Sequence, residues 1–313
     1  MIEINSLRVD YDDVTAVCDL TLTIPTGQIY GLVGPNGAGK TSTLKALAGI
    51  IQPTYGEIKL EGIDLELHPR DALVKIGFMS DFPSVYENLK LWEYLNVFAT
   101  AYGIAQKKRI ESVRYWVKEL DLFDKWDTFI SDLSRGMRQR LALAKTLLHD
   151  PAILLLDEPA SGLDPMGRIE MRKILKKVSL SGKTIVISSH ILTELSDFCN
   201  AVGIMEKGKM VVSGTIDEIR KVIGAKSELI IIFNELSEQD RGNFKEILSR
   251  SPQVLNAKEE PVLEFRMSFS GDNQQASQLL SLLVSAGLSV CQFFIRQANV
   301  EDIFLKIGAR QVS

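Results

Sequence analysis

Apolar and polar positions follow two different periods along the chain, and the change of period separates strands from helices. Residues 2–9 and 17–24 alternate apolar with polar positions, which is typical of half-buried strands. Residues 29–33 are apolar throughout and predict a buried strand, and residues 43–48 behind them predict a helix. We therefore expect an antiparallel edge ahead of a buried strand and its helix.

A helical period takes over from about residue 83 to residue 150. Residues 89–98 place apolar groups at i, i+3 and i+4, and residues 110–120 repeat the pattern. Strand patterns return at 153–156 and 184–189, and four consecutive aliphatic residues at 153–156 favour a strand buried on both faces, as in parallel sheets. The stretch from about 83 to 150 is therefore predicted to be a helical subdomain inserted into an α/β core.

Beyond about residue 224, strands and helices alternate again in shorter segments. Strands are predicted at 228–233, 254–257, 262–269 and 288–296, with a turn at 259–261, and helices at 239–249, 272–286 and 299–307. The order is βαββαβ with one closing helix, which predicts a small α+β domain of ferredoxin-like type. This stretch has no metal-ligand spacing, no candidate nucleophile and no glycine-rich loop in its sequence. We therefore expect it to be an accessory interaction domain.

Length and composition limit the classes of protein to consider. A chain of 313 residues suggests two domains, which the pattern places at 1–224 and 225–313. With 36 Lys and Arg against 40 Asp and Glu, the chain has no basic excess that would attract nucleic acid. The first residues lack the pattern of a signal peptide. No apolar run approaches the ~18–20 residues that span a bilayer. The three cysteines are scattered along the sequence. We therefore expect a cytoplasmic protein with free thiols.

A glycine-rich segment follows the strand at 29–33 and matches the pattern G-x-x-x-x-G-K-[ST]. Glycines let the backbone curl so that N–H groups point inward above a helix N-terminus, an arrangement that attracts phosphate. Lys40 would add charge for the β- and γ-phosphates, and the Thr41 hydroxyl would bind Mg²⁺. A turn that only links strand to helix is the alternative. The segment consists of Gly34, Pro35, Asn36, Gly37, Ala38, Gly39, Lys40, Thr41 and Ser42.

Asp157 and Glu158 directly follow the strand of four aliphatic residues. Open α/β sheets bind ligands at the carboxyl ends of their strands, so Asp157 can hold Mg²⁺ through water and Glu158 can polarise a water for attack. A strand-terminating acidic turn is the alternative. His190 ends the next strand on the same expected edge, although a histidine there is commonly structural. Tyr11 could stack on an adenine ring, or be a half-buried strand residue.

Taken in chain order, these segments resemble the motifs of the ATP-binding subunit of an ABC transporter. The resemblance covers residues 1 to about 220. Residues 34–42 are similar to the Walker A motif, and residues 156–158 to the Walker B motif with its catalytic glutamate. Residues 161–164, which end in Asp164, resemble the D-loop, and His190 the switch histidine. Residues 133–137 stand where the family has Leu-Ser-Gly-Gly-Gln. This implies a P-loop NTPase fold.

The resemblance implies an ATPase that uses ATP and Mg²⁺. Two chains of the family sandwich each nucleotide, so Ser134 and Gly136 of another ATP-binding subunit, a second copy or a close paralogue, would face the γ-phosphate. Glu158 would orient the attacking water, His190 would contact the γ-phosphate, and Asp164 would link the two sites. Integral membrane permease chains, docked on the helical subdomain, would hold the protein at the inner face of the membrane.

Three residues depart from the family pattern. Arg135 and Met137 replace a glycine and the glutamine of the signature segment. Asp81 stands where the family usually has glutamine; it could reach Mg²⁺ through water, beside Thr41 and Asp157, or be a surface charge. Exporter subunits often have a carboxylate at this position and a closing helix similar to residues 299–307. The resemblance therefore favours an ABC-2-type exporter.

Two other functions stay open. An importer ATPase could use a ferredoxin-like tail to bind a regulatory ligand such as an amino acid. A non-transport ABC ATPase, acting on ribosomes or DNA, would usually have two cassettes in one chain or a long coiled-coil insertion, and this sequence shows neither.

Overall fold

The computed structural model describes residues 1–81, 85–191, 194–195, 198–223 (backbone only at 220–223), 227–261 and 263–296. The helix predicted at 299–307 lies outside these residues. Two compact units, Met1–Ile216 and Asp217–Ser313, divide the chain. In the described part of the chain, every helix is too short or too polar to cross a membrane.

A six-stranded sheet forms the centre of the first unit, with the order β10-β9-β3-β8-β7-β6. β10 is antiparallel to β9, and the other neighbouring pairs are parallel. All residues of β3, β7 and β8 are buried, as predicted for strands covered on both faces. The strands are β3 (Ile29–Val33), β6 (Ile76–Met79), β7 (Ile153–Leu156), β8 (Thr184–Ser189), β9 (Ala201–Glu206) and β10 (Lys209–Gly214).

A second, antiparallel sheet lies beside the first helix. Its order is β2-β1-β4-β5, formed by β1 (Ile2–Tyr11), β2 (Val14–Ile24), β4 (Tyr55–Leu60) and β5 (Ile63–Asp64). Apolar side chains of β1, β2 and helix α1 (Lys40–Leu47) share one core with β3 and β7. The antiparallel edge is as predicted, whereas the helix begins at Lys40 rather than residue 43 because the glycine loop turns directly into it.

Helices fill the chain between β6 and β7. After the short α2 (Pro69–Leu73), they are α3 (Leu91–Ala101), α4 (Gln106–Glu119) and α5 (Arg135–Leu147), with 3-10 turns at 123–125 and 130–132. Tyr94 and Val117 are fully buried here, as core packing requires. α3 begins two residues later than its pattern predicts because the Glu93 carboxylate accepts the Lys90 N–H at 2.9 Å and caps the helix there. α6 (Pro165–Ser179) and α7 (Ile216–Ile223) follow.

The second unit has its own sheet, β12-β13-β11-β14, in which all neighbours are antiparallel. Phe233, Phe244 and Phe265 meet in its core with ring centroids 4.8–5.7 Å apart. The elements are β11 (Ser227–Phe233), α8 (Glu238–Ser249), β12 (Val254–Glu260), β13 (Glu264–Phe269), α9 (Asn273–Ser285) and β14 (Val290–Arg296).

The turn predicted at 259–261 begins only at residue 261, because β12 continues through Glu260, which pairs with Glu264 of β13. Acidic residues are normally uncommon in strands. Here the Arg241 guanidinium of α8 contacts both carboxylate oxygens of Glu259 at 2.6 and 2.7 Å. In this ion pair the Arg241 Nη1 contacts both carboxylate oxygens, and its charge offsets the negative charge of Glu259 within the strand.

We propose that the two units fold independently, because each sheet and each core belongs to one unit. A chain that ends at residue 224 should therefore unfold cooperatively and bind ATP with unchanged affinity, which thermal unfolding and nucleotide titration would measure. As a control in the full chain, Phe244→Ala should destabilise the second unit by about 3–5 kcal/mol and leave ATP affinity unchanged. Aggregated or non-binding 1–224 protein would contradict the boundary.

Candidate functional site

The phosphate loop, residues 34–42, connects β3 to α1. Gly37 and Gly39 have φ of 79° and 101°, a left-handed backbone that favours glycine. A Cβ at Gly34 would lie 2.3 Å from the Met205 carbonyl oxygen, and a Cβ at Gly39 would lie 2.4 Å from the Ala16 carbonyl oxygen. The loop therefore packs directly on neighbouring backbone. No side chain caps the N-terminus of α1, and its first N–H groups can therefore bind an anion.

Lys40 reaches back over this loop. Its ammonium donates to the carbonyl oxygens of Gly34 at 2.7 Å and Pro35 at 3.1 Å, and Nζ lies 3.8 Å from Glu158 Oε1. Burial lowers the pKa of Lys40, while the Glu158 and Asp157 carboxylates act in the opposite direction. A phosphate group would give this cation stronger, charged acceptors than the two carbonyls.

Asp157 joins the phosphate loop to the strand ends. Its Oδ1 accepts from the Thr41 hydroxyl at 3.1 Å and from the Ser188 hydroxyl at 2.7 Å. These hydroxyl and carboxylate oxygens are the hard donors that Mg²⁺ prefers. Among the described residues, no group of three or more His, Cys, Asp and Glu could hold a metal alone. Thr41 and Asp157 therefore fit a Mg²⁺ that water and phosphate oxygens also coordinate.

Glu158 has an unusual backbone and a defined partner. Its φ of 46° lies in the left-handed region, which costs a side-chain-bearing residue about 1–3 kcal/mol and is common at functional sites. Its N–H donates to the Ser188 hydroxyl at 2.9 Å, which stabilises this conformation. His190 Nδ1 donates to Glu158 Oε2 at 2.9 Å. The carboxylate is thus held between His190 and Lys40.

A cleft of about 670 Å³ brings most of the predicted residues together. Tyr11 lines it and is 42% exposed, so its ring is available for stacking. Gly34, Pro35 and Asp157 do not line the cleft but contact Lys40 and Thr41, which do. The predicted residues in the lining are Tyr11, Asn36, Gly37, Ala38, Gly39, Lys40, Thr41, Ser42, Asp81, Glu158 and His190.

Asp81, beyond the end of β6, also faces this cleft. Its Oδ1 is buried and has no hydrogen-bond partner among the described residues. Burial raises the pKa of Asp81, and the Asp157 charge adds to this, while a Ser161 hydrogen bond and the Arg135 and His190 charges oppose it. A buried, unpartnered oxygen does not match the alternative of a surface charge.

Ser134, Gly136 and Asp164 do not line the cleft. The Ser134 hydroxyl accepts the Met137 N–H at 3.3 Å and caps α5. Asp164 caps α6 by accepting the Gly167 N–H at 3.0 Å. Ser134 and Asp164 are both exposed. The chain therefore presents Ser134 and Asp164 on its surface, outside the lining of its own cleft.

Arg135, which departs from the family pattern, lies against the loop that follows Glu158. A Cβ at Gly162 would be only 2.0 Å from Arg135 Cζ, so the guanidinium occupies the space that a side chain at 162 would need. Gly162 also has a φ of 65°. A Cβ at Gly136 would lie 3.6 Å from the Leu163 side chain. The start of α5 thus packs on residues 158–164 of its own chain.

Motif reading misses Ser188 and Lys207, and it includes Ser161 in the segment 161–164 without placing it at the cleft. Ser188 bridges Asp157 and the Glu158 backbone, while Ser161 and Lys207 line the cleft. The one available signal is that Ser188 and Ser189 end an otherwise apolar strand beside β7. Paired hydroxyls at the carboxyl end of a buried strand indicate a polar site there.

Comparison with known proteins gives the same assignment over the whole chain. Residues 17–161 match the ABC transporter family. Nod factor export ATP-binding protein I of Cupriavidus pinatubonensis is 30% identical over 318 residues, which cover 100% of this chain and 92% of that protein. The bacitracin transport ATP-binding protein BcrA of Enterococcus faecalis is 36% identical over 222 residues, 71% of each chain.

Solved structures agree with this assignment. The ATP-binding subunit of an ABC transporter superposes with a TM-score of 0.65 at 28% identity, covering 72% of this chain and 93% of the other. A dimeric bacterial ABC transporter cassette superposes with a TM-score of 0.63 at 23% identity, covering 69% and 99%. The chain has a P-loop ABC ATPase fold with mixed α/β sheets, and it belongs to the ATP-hydrolysing, ATP-binding subunits of ABC transporters.

Proposed function

We propose that the chain powers an ABC-2-type exporter and that its active site needs two ATP-binding subunits. The observation that carries the proposal is the division of the predicted residues. Lys40, Glu158 and His190 share one cleft, whereas Ser134 and Gly136 lie outside it. A second copy or a close paralogue would bring its Ser134 and Gly136 over the phosphates.

The nucleotide would lie along the cleft, with its adenine ring at Tyr11 and its phosphates at residues 36–42. Tyr11 would stack on the adenine ring, because it is exposed at the lining. Backbone N–H groups of residues 36–42 and the Lys40 ammonium would bind the phosphates. Thr41 and Asp157 would hold Mg²⁺, with Asp81 as an outer partner through water. When bound, this ion neutralises charge between the β- and γ-phosphates.

Hydrolysis would use Glu158 as the group that orients and polarises the attacking water. The His190 contact keeps one carboxylate oxygen fixed at 2.9 Å while the other stays on the Lys40 side. His190 would also contact the γ-phosphate. The partner subunit's α5 N-terminus would place further N–H groups at the charge that develops on it. Closure of the two subunits thus completes the set of donors.

Export is supported by the names of the relatives, one for Nod factor export and one for bacitracin transport. The first aligns along the whole of this chain. We propose that permease chains dock on the helical subdomain and hold the protein at the inner face of the membrane. The unit around 225–313 would then be a ferredoxin-like accessory domain. An importer ATPase with a regulatory tail would instead change its ATPase rate when an amino acid is added.

Glu158→Gln tests the assignment of the general base. The amide keeps the shape but cannot polarise water, so we expect retained ATP binding, turnover lower by roughly 10²-fold or more, and a trapped ATP-bound pair. Phosphate release and light scattering after size exclusion measure both effects. Lys40→Ala, which removes the ammonium that binds phosphate, is the matched control and should lose ATP binding itself. Near-normal turnover of Glu158→Gln would exclude the assignment.

Asp81→Asn tests the contact of Asp81 with the metal. Without Mg²⁺, the Asp81 carboxylate should repel the γ-phosphate, since like charges within ~4–6 Å disfavour each other. The variant should therefore bind ATP more tightly than wild type in the absence of Mg²⁺ and hydrolyse it more slowly in its presence. ATP titrations with and without Mg²⁺ give the comparison. Identical curves and rates for both proteins would mean that Asp81 never meets the metal.

A further inference from the structure

One arginine of α6 touches two loops that motif reading treats separately. Arg168 Nε donates to the carbonyl oxygen of Leu163 at 3.1 Å, inside the loop that ends at Asp164. Its Nη1 donates to Glu194 Oε1 at 2.7 Å. Glu194 stands four residues after His190, so Arg168 spans from the surface loop to the segment behind the switch histidine.

Glu194 is itself connected to the nucleotide side. Its Oε2 accepts from the Ser189 hydroxyl at 3.3 Å, and the same hydroxyl accepts the Ile191 N–H at 3.0 Å. The Ser189 carbonyl accepts the Gly34 N–H of the phosphate loop at 3.4 Å. A continuous series of contacts therefore runs from the phosphate loop through Ser189 and Glu194 to Arg168 and Leu163.

We propose that Arg168 is a positioning residue that transmits the state of the nucleotide cleft to residues 161–164, the loop that meets the second subunit. The proposal rests on the two-subunit site described above. A shift of the backbone around Ser189 and His190 when phosphate binds would move Glu194. The two-ended contact of Arg168 would then move the Leu163 carbonyl and, one residue further, Asp164.

The chemistry of the link requires arginine rather than any cation. Its planar guanidinium donates from Nε and Nη1 in fixed directions, so one side chain holds a carbonyl and a carboxylate together. A lysine ammonium at this position would have the charge but not two donor nitrogens in fixed directions. The side chains of Arg168 and Glu194 are 36% and 16% exposed, so water competes only partly for these bonds.

The experiment compares Arg168→Gln, Arg168→Lys and Glu194→Gln, and the double variant Arg168→Gln/Glu194→Gln, in the full chain. Lys177→Gln is the matched control: Lys177 also lies on α6 and forms an ion pair, with Glu119 at 2.6 Å, and within the described residues it has no hydrogen bond or ion pair to either loop. ATPase kinetics and hydrogen exchange with and without ATP are measured for each protein, and thermal unfolding confirms that each is folded.

We expect Arg168→Gln to lower kcat roughly 10- to 100-fold, the range for misplacement of a catalytic element, with KM for ATP changed less than about twofold. ATP should still protect residues 34–42 from exchange, but the change that ATP causes at 161–167 in wild type should be lost. Arg168→Lys should behave like Arg168→Gln. The double variant should be no worse than either single one, since both break the same link.

The proposal would be overturned if ATP changed hydrogen exchange at 161–167 in Arg168→Gln as it does in wild type. Full ATPase activity of Arg168→Lys, or additive losses of kcat in the double variant, would also overturn it. Equal losses in Lys177→Gln would do the same, because they would reflect general damage to α6. The proposal of a two-subunit site is tested separately, because ATP hydrolysis by unpaired wild-type protein would contradict it. The exchange at 161–167 still tests Arg168 in that case.

Discussion

The parallel register of β7, β8 and β3 is the constraint on which the whole site depends. It sets Leu156 beside Ile187 and Val33 beside Ser189, so Asp157, Ser188 and the phosphate loop emerge at one edge. A slip of one residue would turn every side chain of a strand to the opposite face and separate Asp157 from both hydroxyls. Burial of these strands on both faces makes such a slip costly, and the rigid sheet thereby positions a polar site.

Charge is the second constraint. Asp81 and Glu158 line the cleft, Asp157 accepts a hydrogen bond from Thr41 of its lining, and the described lining offers Lys40 and Lys207 as its ammonium groups. Three carboxylates alone would repel a nucleotide, and Lys40 alone would not compensate for them. A bound divalent cation, as proposed for Thr41 and Asp157, would offset this repulsion and would explain why acidic residues are tolerated in a phosphate site. Among the described residues, the buried Asp81 Oδ1 has no hydrogen-bond partner, which is the observation that the Asp81→Asn comparison addresses.

Much of this could be predicted from local sequence, because residues 34–42 and 156–158 each act through a contiguous stretch. Alternating and continuous apolar runs likewise predicted β1, β2, β3, β7 and β8, whereas β4, β5, β6, β9 and β10 of the same two sheets were not predicted. What failed depended on partners distant in sequence. Glu259 remains in a strand because Arg241 pairs with it, and the burial of Asp81 depends on the packing of β6 against its neighbours. No local pattern could have linked Arg168 to Glu194, since 26 residues separate them.

Residues 158–164 combine these constraints in one loop. Glu158 at its start lines the cleft, and Asp164 at its end does not. Arg135 occupies the space above Gly162, and Arg168 holds the Leu163 carbonyl. A loop fixed by its own chain at both of these points cannot move at Asp164 without moving relative to α5 or to Glu194. An approaching subunit that contacts Asp164 and Ser134 therefore meets a surface whose geometry already depends on the Glu158 end. In the proposed two-subunit site, the short chain segment 158–164 and the contacts of Arg135 and Arg168 would couple hydrolysis to association without a large rearrangement of the sheet.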